Sequence, residues 1–179
     1  MVRVWFMDGT DADQHLPHQT DPPKYMELAD LEKYGILYWK LDADNYEAEG
    51  KLKEIRERRN YDYGDEIECS REKLPDYDET MRIFFTEHIH EDEEIRFVTD
   101  GSGYFDFRDP DDRWVRMEVV KGDLIILPAG IYHRFTLDTN NYLKALRFFT
   151  EVPVWTPYNR PADDHPSRKK YVEWLSTNA

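Results

Sequence analysis

The sequence predicts a mainly β barrel with a few peripheral α-helices, on two observations. From Met81 to Pro157, short runs of β-branched, aromatic and aliphatic residues alternate with turns rich in Gly, Pro and Asp. Inside that region His88 and His90 stand two apart, Glu94 follows, and His133 opens a later run. Residues two apart on a strand share a face, so the first two imidazoles project together.

The elements read in order as follows. Val2 to Met7 is a short strand, and Asp8 to Pro23 a polar loop rich in Asp and Pro. Glu27 to Lys33 has a helical pattern with Gly35 as its stop, and Ile36 to Trp39 is a strand. Lys51 to Asn60 is a charged helix with Leu52 and Ile55 near one face, and Pro75 precedes a short helical stretch near Asp78. The β region then reads as runs at 82–86 (leading into His88 and His90), 95–98, 104–108, 114–120, 124–127, 132–137 and 142–149. The segment 100–103 reads as a turn. Ser167 is the expected N-cap of a final helix through Trp174, with Tyr171, Trp174 and Leu175 on one side.

With 179 residues the chain has the length of one domain, and 40% hydrophobic content supports a packed core rather than disorder. We expect a single domain over 1–179: flanking strands and helices in 1–80, the metal-binding barrel in 81–157, and a C-terminal segment and helix in 158–179. The formal net charge of −14 opposes contact with phosphate backbones and anionic lipid surfaces. Nucleic acid and membrane insertion are therefore not expected, and a monomer is. Cys69 is the one cysteine and cannot form an internal disulfide; its acidic neighbours Glu66 and Glu68 disfavour a thiolate. The apolar run at the start is too short for a leader, so a reducing, cytoplasmic setting is expected.

Three imidazoles and one carboxylate make a mixed N/O donor set. It suits Fe(II), Mn(II), Co(II) or Ni(II), and on an octahedral ion it leaves two positions for water, a chelating substrate or dioxygen. Taken singly, each part has a bland reading: His-x-His recurs by chance, Glu91 to Glu94 resembles a solvated acidic turn, and His133 a hydrogen-bonded core histidine. The combination carries the argument. Strand parity alone leaves Asp92 and Glu94 both open as the carboxylate.

The spacing resembles the two motifs of the cupin superfamily, whose fold is a double-stranded β-helix or jelly-roll barrel. The first, G-x5-H-x-H-x3-E-x6-G, is met by His88, His90, Glu94 and Gly101, with Arg82 in place of the leading glycine. The second, G-x5-P-x-G-x2-H-x3-N, is met by Gly122, Pro128, Gly130 and His133, with Leu137 in place of the final asparagine. This resemblance selects Glu94 over Asp92.

Longer stretches resemble the acireductone dioxygenase family, eukaryotic type, along nearly the whole chain. They are Leu37-Tyr38-Trp39-Lys40-Leu41-Asp42-Ala43-Asp44, Asp100-Gly101-Ser102-Gly103-Tyr104-Phe105-Asp106, Leu127-Pro128-Ala129-Gly130-Ile131-Tyr132-His133-Arg134-Phe135-Thr136 and Trp155-Thr156-Pro157-Tyr158-Asn159-Arg160-Pro161-Ala162-Asp163. The resemblance implies one Fe(II) or Ni(II) per chain, with an acireductone and dioxygen as substrates in methionine salvage. With Fe(II) the family converts 1,2-dihydroxy-3-keto-5-methylthiopentene to formate and 4-methylthio-2-oxobutanoate. With Ni(II) it gives carbon monoxide, formate and 3-methylthiopropanoate. Nuclear presence beside the cytoplasm is a further implication.

Around the metal, Arg96 lies two past Glu94, aimed inward by alternation, as a cation that stabilises the enediolate. Phe84 and Phe135 share parity with His88 and His133 and are expected to wall the methylthio tail; the plain reading is barrel core. Arg147 and Phe149 are weaker candidates. His15 and His18 are given no metal role, and His165 a capping or ion-pair role. The alternatives are another metal-dependent cupin enzyme, a non-enzymatic metal-binding or sensor cupin, or an interaction protein that uses the barrel as a scaffold.

Overall fold

The computed structural model describes residues 2–178. Ten strands and five helices follow one another as β1 (Arg3–Phe6), α1 (Leu28–Lys33), β2 (Leu37–Lys40), α2 (Tyr46–Glu49), α3 (Lys51–Arg59), β3 (Tyr63–Cys69), α4 (Tyr77–Phe85), β4 (His88–Ile89), β5 (Glu94–Arg108), β6 (Trp114–Val120), β7 (Asp123–Leu127), β8 (His133–Leu137), β9 (Leu143–Phe149), β10 (Tyr158–Asn159) and α5 (Pro166–Thr177). One antiparallel path runs β1-β6-β5-β8-β4-β10 and a second runs β2-β7-β5-β9-β3. Both pass through β5, so the two sheets close on one another and bury Phe105, Phe107, Val115, Ile125, Leu137 and Ala145 between them. The architecture is the expected cupin barrel with peripheral helices. No helix among the described residues is long and apolar enough to cross a membrane.

Residues 100–103, read as a turn, lie inside β5. The register against β9 shifts between Val98 and Asp100, which marks a bulge. A bulge bends a strand without reversing it, so β5 leaves one sheet and enters the other. Gly101 makes the bend possible, with φ +76° and a position where a Cβ would lie 2.2 Å from the Tyr142 carbonyl oxygen.

Residues 82–86, read as a strand, form the end of helix α4. Tyr77, Met81 and Phe84 recur at helical spacing and pack against the main core. The contiguous Ile83-Phe84-Phe85 run hides that period in the sequence. Strand β3 pairs with β9 along its whole length, yet carries Asp65, Glu66 and Glu68. Charge of that kind suits an edge strand and conceals it from a propensity reading. The cap of α5 is His165 rather than Ser167: its ring accepts the Ser167 amide hydrogen at 3.1 Å, and Pro166 takes the first turn, where no amide donor is needed.

The loop 8–23 is fastened to the barrel's outer face. Arg116, fully buried, donates to both Asp106 carboxylate oxygens and to the Gln14 and Leu16 carbonyls. His18 sits in the same loop, between Asp8 Oδ1 at 2.9 Å and the Asp13 carbonyl at 2.8 Å. His15 contacts Asp13. Both histidines have roles inside the loop, apart from the barrel interior.

Candidate metal centre

Two short elements bring the histidines together. Thr86 ends α4, the chain turns into β4, and His88 pairs directly opposite His133 on β8. His90 follows at the end of β4. The nitrogens that the three rings offer lie within 4.8 Å of one another. The Nε2 atoms of His88 and His90 are 3.1 Å apart.

The other ring nitrogens explain the orientation. Nδ1 of His88 donates to the Thr86 carbonyl at 2.5 Å, Nδ1 of His133 to the Ile131 carbonyl at 2.9 Å, and Nδ1 of His90 to the Thr156 carbonyl at 3.3 Å. A carbonyl can only accept, so each ring carries its proton on Nδ1 and leaves a lone pair on Nε2. Backing of this kind is what metal-binding imidazoles require.

Glu94 enters from the first residue of β5. Its Oε2 lies 2.5 Å from His133 Nε2, and both atoms are buried without a hydrogen-bond partner. Two such atoms converging on one point are costly unless something shared completes them. A cation fits that requirement, and a mixed N/O donor set fits a divalent transition metal. The three histidines form the tight cluster; Glu94 joins it through His133 and lines the same cavity, whose lining does not include Asp92.

Electrostatics agree with the geometry. Burial alone would raise the Glu94 pKa, but the positive charge of Arg96, with His133 beside the carboxylate, outweighs it and holds the group well below the carboxylate range. Burial, aided by the neighbouring His133, lowers His88 to about 3, so this ring is neutral at ordinary pH. Arg96 donates from Nη2 to Glu94 Oε1 at 2.7 Å and from Nη1 to its neighbour's carbonyl, Ile95 O, at 3.0 Å. It thus fixes the carboxylate as well as charging the site.

The centre forms one wall of a cavity of about 700 Å³. Apolar lining comes from Phe84, Phe105, Phe135, Val98, Leu143 and Ala145, while Arg96, Arg147 and Lys73 supply the positive charge. Phe84 and Phe135 meet edge-to-face at 6.1 Å. Phe84 reaches the wall from helix α4, so the strand parity expected for it does not hold.

Several contributors escaped the sequence reading. The backing carbonyls of Thr86, Ile131 and Thr156 have no side-chain signature. Ile67 and Cys69 come from the unrecognised β3. Leu143 and Ala145 alternate on β9 with Arg147, a weaker candidate in the sequence, and that period of two was the available signal for them. Arg147 also bonds both Asp65 oxygens at 2.7 Å and stacks its guanidinium 4.1 Å from the Trp155 ring centre. Phe149 lines a smaller adjoining cavity of about 280 Å³.

Fold and site together define a cupin barrel whose centre is shaped for a single metal ion. Residues 3–157 match the model of the ARD/ARD′ family. The chain is 55% identical to an acireductone dioxygenase of Drosophila melanogaster, over 99% of this chain and 96% of that protein. It is 54% identical to one of Gallus gallus, over 100% and 99%. Among solved structures it superposes on the acireductone dioxygenase from Bacillus anthracis with cadmium ion in its active centre, with a TM-score of 0.69, 25% identity, and coverage of 88% of this chain and 97% of that one. The chain belongs to the ARD/ARD′ family.

Proposed function

We propose that the chain is an acireductone dioxygenase, using one metal ion held by His88, His90, Glu94 and His133. The observation that carries this reading is the convergence of three carbonyl-backed imidazoles and a buried carboxylate on the wall of a mostly apolar cavity. A cavity of about 700 Å³ is of a size to enclose a small molecule.

A divalent metal bound there would act as a Lewis acid toward the two enediol oxygens of the substrate. The protein's own residues do the rest. Arg96 places a permanent positive charge beside the enediolate and keeps Glu94 ionised. Phe84 and Phe135 hold the methylthio tail and exclude water from the reacting end. Cys69 takes no part, because burial pushes its thiol up to about 11.

Fe(II) is the metal we assign to the reaction giving 4-methylthio-2-oxobutanoate and formate. Ni(II) on the same ligands is assigned to 3-methylthiopropanoate, formate and carbon monoxide. This reading places the chain in methionine salvage, as a monomer of the cytoplasm and nucleus. The test is anaerobic loading with each metal, addition of acireductone and oxygen, and identification of products by mass spectrometry. Oxygen uptake no faster than the uncatalysed reaction in both metal forms would reject the proposal.

A further inference from the structure

Strand β4 is only two residues long and carries one of the imidazoles, His88, with His90 in the residue just past its end. On the β8 side it is held by the single His88–His133 pair, with Gly130 N donating to the His90 carbonyl at 3.1 Å. Its other side is covered by the segment 156–160. Tyr158 pairs with Ile89 and Asn159 with His88. Arg160 N donates to the Glu87 carbonyl at 3.0 Å, and the Thr156 carbonyl receives the His90 Nδ1 proton at 3.3 Å. Contact is therefore continuous along 87–90.

The segment is pinned at its far end. Arg160 donates to the Glu87 carboxylate at 2.8 Å and to both oxygens of Asp112 at 2.8 and 3.0 Å. Its guanidinium lies 4.5 Å from the ring centre of Tyr132, the residue before His133. Tyr132 is fully buried; its hydroxyl donates to Asp163 and accepts from Ala162 N, each at 2.8 Å. One side chain of the barrel thus fastens the tail beside the metal centre.

We propose that residues 156–160, pinned by Arg160 and Tyr132, form a strap that positions His88 and His90 and so sets the affinity of the centre for its metal. The inference rests on the metal-centre reading above. The strap touches none of the lone pairs that would meet the metal; it fixes the backbone and the Nδ1 side of the rings that carry them. Loss of outer partners of this kind weakens metal binding about 10- to 100-fold.

The test is a Co(II) titration of the full metal-free chain, read by the visible ligand-field bands at a temperature well below unfolding. Arg160→Met, which keeps apolar length but removes the ion pairs, should weaken Co(II) binding about 10-fold or more. Tyr132→Phe removes one hydroxyl from the pin and should weaken it about threefold to tenfold, the range of a lost buried hydrogen bond; it decides the matter if Arg160→Met does not fold. Arg3→Met, which breaks the Arg3–Glu118 pair on β1, should leave affinity unchanged. A purely structural tail would lower the melting temperature of the metal-free variants and leave Co(II) affinity within twofold of the parent, and that result overturns the strap alone. A parent chain that takes up no Co(II) overturns the metal centre and the strap with it.

Discussion

His88 and His133 face each other across the single ladder pair that joins β4 to β8, with ring centres 4.6 Å apart. Each is turned by its own backbone carbonyl partner, so neither depends on the other for orientation. Replacing either with Ala should leave a folded barrel that has lost most of its metal. Metal per chain by mass spectrometry should fall at least tenfold, while His15→Ala and His18→Ala should keep the parental content. Full metal in His133→Ala would remove this residue from the ligand set.

Arg96→Met should act mainly on turnover. Removing one preorganised charge at a reacting centre costs about 10²–10³ in rate. Because Arg96 also holds Glu94, metal affinity should weaken as well, so turnover must be compared at saturating metal. Parental kcat under that condition would mean that the guanidinium only braces the carboxylate.

Gly101→Ala attacks the bulge directly. The new Cβ would collide with the Tyr142 carbonyl in a backbone conformation that alanine resists. A loss of about 2 kcal/mol or more in urea unfolding is expected. An unchanged midpoint would show that β5 can bend elsewhere.

Phe135 touches both Phe84 and Phe105 in the cavity wall. Phe135→Ala should cost less than the roughly 3–5 kcal/mol of a fully enclosed phenylalanine, because one side already faces the cavity. Its kinetic mark should be a larger rise in KM than fall in kcat, as expected where a contact serves the substrate's tail. Equal kinetics would assign Phe135 to the core alone.

Cys69 offers a pH test. Its acid form is favoured in the folded chain, with the thiol raised from 9.0 to about 11. Alkylation at pH 8 should therefore be slow and should quicken with each pH unit until about 11, whereas the unfolded chain reacts readily. The sign for stability is the same: the neutral thiol favours the fold below pH 9, and this contribution disappears as pH rises through 11. Rapid labelling of the native chain at pH 8 would contradict the burial.

The residues of the candidate metal centre were legible because their donor chemistry is tied to spacing. His88 and His90 needed only strand parity, and the resemblance of Gly122, Pro128 and Gly130 to a cupin motif drew His133 into the same set. The bend at Gly101 was less legible, since a glycine that bends a strand and one that reverses a chain look alike in sequence. Helix α4 was obscured because Ile83, Phe84 and Phe85 are apolar in succession, which masks a period of 3.6. Strand β3 was missed because edge position, not propensity, permits its acids. The backing carbonyls were out of reach, as every residue has one and only the folded path decides which is used.

Strand β5 pairs with β6, β7, β8 and β9 and has Glu94 at its first position. Synthesis is vectorial, so a growing chain presents His88, His90 and Glu94 well before β8 and β9 exist to receive them. At about 5–20 residues per second, the roughly 70 residues from Glu94 to the end of the strap take several seconds to emerge. Early in that interval the ribosome-bound chain offers only a loose pair of imidazoles, and even once His133 has emerged the Thr156 carbonyl is still to come. Metal capture would thereby be deferred to the finished barrel, and the strap that closes over the first ligands is made only after strands β1 to β9.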